Sequence, residues 1–377
     1  MGCSSSSESK GSKNGTVALN ALAGGLLASH LEEAAAKSDT KELSMIQNKL
    51  VSIPPGLGKI LTLTALNCSE NLLTELPPDL RLLVSLQTLD ASDNKLKKLP
   101  DDLADLVSLT TLHVYKNELS SLPESLGTIT SLTEINAFNN KIIRLPPNIG
   151  GLHSLTELNA ADNKLKTIPK VEGLTAITRL ALFHNNIVML PPLSALVKVQ
   201  KLELYRNQMD NLPKLGRFEE MDAFSCSHNR LTELPDDLAT FVGLEELEAS
   251  KNMLTKIPTS LVGLPKLWKL MIASNSITEF PEALCEMASL KTLDLQSNQI
   301  TTLPDKFTTL TTLAILLLSG NQIAKIPPFL ATEIPQIKRL TIDANPINWD
   351  DNENLKVHEG IAKRFETIKD GRFVGCI

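Results

Sequence analysis

The first residues of this chain carry its clearest chemistry. Met1-Gly2-Cys3-Ser4-Ser5-Ser6 fits M-G-x-x-x-[ST], in which loss of the methionine leaves the Gly2 amine as acceptor for a myristoyl chain. Cys3 beside it is an S-palmitoylation position. One myristoyl chain binds a membrane only marginally, on the order of 10⁴ M⁻¹, so a second chain is needed for stable anchoring. Lys10 and Lys13 alone make a thin basic patch. Dual acylation at Gly2 and Cys3 is therefore expected, and with it a cytoplasmic protein on the inner face of a membrane. Cys376 is the penultimate residue, whereas a prenylation box needs cysteine fourth from the end.

Other reactive spacings are sparse. Cys226-x-His228 looks like part of a metal site, but the period described below sends Cys226 inward and His228 outward. His184 and His228 fall two coils apart, ~10 Å, too far for one ion. Neither G-x-x-x-x-G-K-[ST] nor G-x-S-x-G occurs in the chain, so nothing cradles a phosphate or sharpens a nucleophile in those ways. No catalytic residue, metal or cofactor is expected.

The elements that position these residues come from a repeat. The pattern L-x-x-L-x-L-x-x-N-x-L-x-x-L-P is plain in LQTLDASDNKLKKLP from Leu86 and returns in LTTLHVYKNELSSLP from Leu109 and LKTLDLQSNQITTLP from Leu290. Its period is 22 to 24 residues. The ninth position is a column of asparagines: Asn71, Asn94, Asn117, Asn140, Asn163, Asn185, Asn207, Asn229, Asn252, Asn275, Asn298, Asn321 and Asn345, with Asn48 in an eroded first repeat. Such a period defines a solenoid, here a leucine-rich repeat. Alternate residues of a short strand point to opposite faces, so the leucines fill a continuous core and the residues between them line an exposed concave sheet. Asparagine carries both donor and acceptor, so a buried column can pair backbone groups left open at each turn. The proline after the last core residue fixes φ and removes a donor, which suits a loosely turned convex return.

The seventh column lies on the exposed face. It holds Tyr115, Phe138, Phe183 and Tyr205, including both tyrosines of the protein, among mostly small residues. His113, Lys116, Asn136, His184, Glu203 and Arg206 stand beside them. Aromatic residues and arginine are enriched at the centres of protein interfaces. These ten residues are the expected site for a protein partner. Acidic side chains such as Asp90, Asp93, Glu134 and Glu157 gather toward one end of this face and Lys201, Lys269, Lys291 and Arg339 toward the other.

Composition agrees with a packed, non-nucleic-acid-binding protein. The chain has 377 residues, 42% of them apolar, and 37 basic against 43 acidic side chains, a formal charge of −6. Phosphate binding needs clustered lysine and arginine rather than this balance. No apolar run approaches the roughly 18 residues that span a bilayer. Five cysteines without framework spacing suit a reducing compartment. Length alone suggests two or three domains, whereas the repeat implies one elongated domain and a monomer. The expected division is a lipidated tail over 1–16, an N-terminal capping helix over 17–42, repeats over 43–347, and a helical cap and tail over 348–377. The first helix is expected from Leu19 to Lys37 with Leu19, Leu22, Leu26 and His30 on one side, and the last from about Glu353 to Lys369 with Leu355, Val357, Ile361, Phe365 and Ile368 as contacts.

The repeats over roughly 43–345 resemble those of intracellular leucine-rich-repeat proteins of the plant Ras-group and SHOC type, which carry the same L-P-x-x-L return. The layout is similar to that of small N-myristoylated leucine-rich-repeat proteins, through MGCSSS, SHLEEAAAKSD and AKRFETIKDGRF. The fold implied is an α/β horseshoe with a parallel concave sheet, an irregular convex side and helical caps. The function implied is a non-catalytic adaptor or scaffold in signalling. A small GTPase and a phosphatase catalytic subunit are the candidate partner classes. The alternative is a regulatory or targeting subunit of one enzyme, such as the phosphatase-binding proteins built of 22-residue repeats. Only the repeats ending at Asn185, Asn207 and Asn229 have that length.

Overall fold

The computed structural model describes residues 15–19, 24–37, 39–366 and 372–374. Gly2, Cys3, Leu22 and Ile368 lie outside these residues. The chain divides into two compact units, Met1–Asn186 and Ile187–Ile377.

Among the described residues, the first unit holds eight three-residue strands: β1 Thr16–Ala18, β2 Glu42–Ser44, β3 Ala65–Asn67, β4 Thr88–Asp90, β5 Thr111–His113, β6 Glu134–Asn136, β7 Glu157–Asn159 and β8 Arg179–Ala181. Each pairs in parallel with the next, and equivalent residues sit opposite: Leu43, Leu66, Leu89, Leu112, Ile135, Leu158 and Leu180 form one row. A row in register means that every coil repeats its predecessor with one strand step of translation. All of these row residues are buried, and the coil from Leu86 also buries Leu86, Ala91, Leu96, Leu99, Leu103 and Leu106. Each fully buried leucine contributes about 1.5–3 kcal/mol of transfer free energy, and no coil could bury them without its neighbours.

On the return side, proline starts a single turn of 3-10 helix. Pro77, Pro100 and Pro123 are extended, with φ between −69° and −63°, and precede the turns Pro78–Leu82, Asp101–Asp105 and Glu124–Thr128. Their missing N–H costs nothing at a turn start, where no partner is available. A second ladder runs along the strand entrances. Hydroxyls of Thr110, Thr133, Thr156 and Thr178 donate to the preceding coil's carbonyls at Gln87, Thr110, Thr133 and Thr156 over 2.9–3.1 Å.

The second unit repeats this plan in β9 Lys201–Glu203, β10 Ala223–Ser225, β11 Glu246–Glu248, β12 Lys269–Met271, β13 Thr292–Asp294, β14 Ile315–Leu317, β15 Arg339–Thr341 and β16 Arg372–Val374, parallel and in order. Its core takes larger rings: Phe241 lies 5.0 Å from Phe218 and 6.2 Å from Phe224, and Phe307 lies 5.4 Å from Phe280. Among the described residues, no 3-10 turn occurs between Gly151 and Asp236, the stretch that contains the three 22-residue repeats. One residue fewer leaves too little chain to close the turn.

The caps differ in detail from the expectation. Helix α1 spans Gly24–Ala36, not Leu19–Lys37. Val17 and Ala18 belong to β1 and Glu42 to β2, so the cap begins as one more strand of the sheet. The buried side of α1 is Leu27, Leu31 and Ala34, while His30 is only partly buried. The spacing of Leu27 and Leu31, four apart, puts them on one face; Gly24 and Gly25 form the first turn of α1 despite their low helix propensity. In the second unit α2 is the short Phe329–Thr332 and α3 the cap, Asn352–Glu366. Val357, Ile361 and Phe365 of α3 are buried, and Leu355 is partly exposed. Asn354 of α3 accepts from the Ile326 amide at 2.9 Å and donates to the Ala324 carbonyl at 3.2 Å, closing backbone groups that another coil would otherwise pair. After α3 the chain adds β16, a strand where only a tail was expected; the register Leu340–Phe373 continues the repeat.

Candidate functional site

The asparagine column is tied to two coils at once. Asn94 donates from Nδ2 to the carbonyls of Ala91 and Ser92 in its own coil and of Cys68 in the coil before, at 3.0–3.2 Å. Its Oδ1 accepts from the Leu73 amide at 2.9 Å. Asn71, Asn117, Asn140, Asn163 and Asn185 make the same set in the first unit. Asn229, Asn252, Asn275, Asn298 and Asn345 do so in the second, where Asn321 accepts from Ile300 and donates to Leu295 and Leu318, and Asn207 accepts from Ile187 and donates to Leu204. Asn48 belongs to the column too, since its Nδ2 donates to Ile46 and its amide donates to Asn71.

The residue before each asparagine is left-handed. Lys116, Asn139, Asp162, His184, Arg206, His228, Lys251 and their equivalents have φ between 50° and 57°, and only Gly320 in this column is a glycine. A left-handed residue with a side chain costs roughly 1–2 kcal/mol, which the buried asparagine bonds around it offset. The twist throws the eighth side chain outward beside the seventh column, in which Tyr115, Phe138, Phe183 and Tyr205 are half-buried while Ser69, Ser92, Ala161 and Ser227 are buried.

In the first unit the side chains of these columns and of the strands beside them form four groups. His113 Nε2 lies 2.8 Å from Glu134 Oε1, and the His113 ring is 6.3 Å from that of Tyr115. Lys116 Nζ lies 3.6 Å from Asp93 Oδ2. Phe138 and Phe183, two coils apart, bring their rings to 6.3 Å, and Ala161 in the coil between them is fully buried. His184 Nδ1 lies 3.1 Å from Asp162 Oδ1. Asn136 Oδ1 accepts from the Phe138 amide at 3.2 Å. At the acidic end of this face Asp93 is thus offset by Lys116.

In the second unit Lys201 Nζ lies 3.6 Å from Glu203 Oε1. Tyr205 is partly buried, which raises its phenol pKa; the Glu203 charge raises it further and Arg206 opposes. Arg206, His228 and Lys251 follow one another up the eighth column. Burial and the charges of Lys251 and Arg206 hold the His228 imidazole below the usual histidine range. Lys269 donates to both Glu246 and Glu248 at 2.8 Å. Cys68 and Cys226 are wholly buried in the sixth column of their units, and burial first pushes both thiols up to about 12. A thiol so poorly ionised is a packing group and not a ligand or nucleophile.

Sequence reasoning missed the left-handed column: Asp93, Asn139, Asp162, His184 and His228 are types that favour positive φ, but the lysines, serines and alanine interspersed with them do not. It missed the threonine ladder, although threonine at the second position of five coils was visible. In-register strands, the asparagine bonds and the leucine core make this chain a leucine-rich-repeat protein. A family model described as Leucine rich repeat matches residues 269–323 and 288–347, and a second, Leucine Rich Repeat, matches residues 85–106. No curated protein matches the chain significantly. Among solved structures it is similar to a leucine-rich-repeat protein of Leptospira interrogans, at 24% identity and TM-score 0.65, over 91% of this chain and 98% of that one. The effector YopM of Yersinia pestis is 25% identical with TM-score 0.61, over 87% and 91%. The plant peptide hormone receptor RGFR1, in complex with RGF2, is 23% identical with TM-score 0.66, over 91% and 58%.

Proposed function

We propose that this protein is a non-catalytic adaptor, held on the inner face of a membrane by acyl chains on Gly2 and Cys3, which binds a signalling protein on the outward face of its sheets. The observation that carries the binding is the pair of outward columns. Their side chains are spent neither on the leucine core nor on the asparagine column, and they hold both tyrosines, Lys116 and Arg206. Leucine-rich-repeat folds are generally protein-interaction scaffolds, and here aromatic and cationic types stand where a partner would meet them.

Each unit is tested by itself. Affinity enrichment from cells with the wild type, a Tyr115→Ala/Lys116→Ala variant and a Tyr205→Ala/Arg206→Ala variant identifies the partner and the unit that holds it. A partner retained in full by both variants would move binding off these columns. The tether is tested by fractionation: Gly2→Ala is expected in the cytosol, and Cys3→Ser weakly and reversibly attached. Gly2→Ala protein that stays on membranes would end the acylation reading.

A further inference from the structure

The first unit carries a second surface, on the flank that each coil turns outward after its asparagine. In the third to sixth coils the four positions after the asparagine hold Lys95, Lys97, Lys98, Lys141, Arg144, Lys164 and Lys166, all exposed. The one acid among them is Glu118. Lys141 donates to it at 2.9 Å. That bond, then the charges of Lys141, Lys97 and Lys95, hold the Glu118 carboxyl below the usual carboxylate range. The nearest acids are Glu75, at the fourth position one coil earlier, and Asp93 and Asp162 in the left-handed column beside the flank; Asp101 and Glu124 follow the proline that ends it. None of Lys95, Lys97, Lys98, Arg144, Lys164 and Lys166 has an ion-pair partner within 4.0 Å among the described residues.

The second unit is an internal comparison. The same columns there hold Arg230, Lys256 and Lys325 against Asp210, Glu233 and Glu279, and Lys256 pairs with Glu233 at 3.7 Å. Lysines are a common filler of solvated positions, but a filler would be balanced in both units. In the first unit seven cations lie across four coils, three strand steps or ~15 Å, in a protein whose formal charge is −6.

We propose that this flank is a contact surface for anionic lipid headgroups, a reading that rests on the membrane tether proposed above and gives the tethered protein an orientation. One exposed aliphatic side chain stands among the cations, Ile143 at 54% exposure. Cations mixed with aliphatics suit a lipid interface, and the flank has no aromatic ring on which a base could stack. A peptide strand finds no open backbone here, because the amides of Lys95, Glu118, Lys141 and Lys164 already donate to the preceding coil. The tether reaches. From Gly2 to Gly15 is 13 residue steps, at most ~43 Å, and β7 lies six strand steps from β1, ~29 Å.

The test uses Gly2→Ala protein, which carries no acyl chain, so that it reads the flank and leaves the anchor to the fractionation above. Sedimentation with vesicles of phosphatidylcholine and about one-third phosphatidylserine is compared with phosphatidylcholine alone. Binding only to the anionic vesicles is expected, weakening steeply with salt. Lys97→Glu/Lys141→Glu/Lys166→Glu should lower the partition coefficient at least about thirtyfold, the neutral Lys97→Gln/Lys166→Gln less, and Arg230→Glu less than about threefold. Unchanged melting midpoints show that the variants are folded. Equal partition of parent and triple variant, equal binding to both vesicle types, no binding, or tighter capture by an acidic peptide or single-stranded RNA than by the vesicles would each overturn the proposal.

Discussion

Phe138 and Phe183 touch across a coil that lies between them, with ring centroids 6.3 Å apart. Their backbones are two strand steps apart, ~9.6 Å, so the rings lean together over Ala161, which is fully buried. Only a small residue there permits this. Ala161→Leu should force the rings apart and cost about 1–3 kcal/mol. Urea unfolding of that variant measures it, and an unmoved midpoint would show that the two rings do not close over Ala161.

Asn163 is the best place to test the asparagine column. Its Nδ2 donates to Ala137, Ala160 and Ala161, and its Oδ1 accepts from the Ile142 amide at 2.9 Å. Asn163→Ala leaves these buried groups open, at about 1–3 kcal/mol for an unmade bond. Asn163→Asp keeps the acceptor for Ile142 but loses the donors, so it should be destabilised as well. A denaturant midpoint equal to the wild type's for Asn163→Ala would remove the column from the account of stability.

The left-handed column makes two opposite expectations. Gly320 has φ 69°, and a Cβ there would meet only ordinary contacts at 3.4 Å and beyond. Gly320→Ala should therefore lose about 1 kcal/mol through backbone strain alone. Ala344, at φ 56°, pays that strain already. Ala344→Gly should gain about 0.5 kcal/mol after glycine's unfolded-state entropy is subtracted. Thermal melts of the two variants should move in opposite directions.

Much of the fold was legible because one pattern states both strand and core. Leu86, Leu89 and Ala91 gave the inward row, Asn94 the column and Pro100 the return, each from its type and spacing alone. Less legible were features set by tertiary context. Leu27 and Leu31 face the core, while His30, expected there, is only partly buried, since strand β1 takes the residues before the helix. The strand Arg372–Val374 reads as a tail because its partner in the sheet is Arg339–Thr341, more than thirty residues earlier. The outward tyrosines were found by column counting, but not the contacts that divide them. His113 leans on Glu134 and Phe138 on Phe183, and no spacing announces a side-chain pair across parallel strands.

His228 supplies a pH dependence. Its folded pKa lies below the ordinary histidine value because of burial and the charges of Lys251 and Arg206. Between that value and about 6.5 the unfolded chain binds more protons. Stability from this group is thus present above about 6.5 and lost as pH falls through the window. Lys251→Ala should move the His228 titration upward in an NMR experiment. A midpoint that stays in place would mean that Lys251 does not act on the ring.

The central claim is that a partner binds the outward columns, and the most direct measurement is the affinity of that partner for single alanine variants. Tyr205→Ala should weaken binding at least about thirtyfold, ~2 kcal/mol, as expected for an aromatic at the centre of an interface. Lys291→Ala, exposed in the second unit and outside the aromatic stretch, should change it less than about twofold. Equal losses from both variants, or full affinity in Tyr205→Ala, would contradict the account.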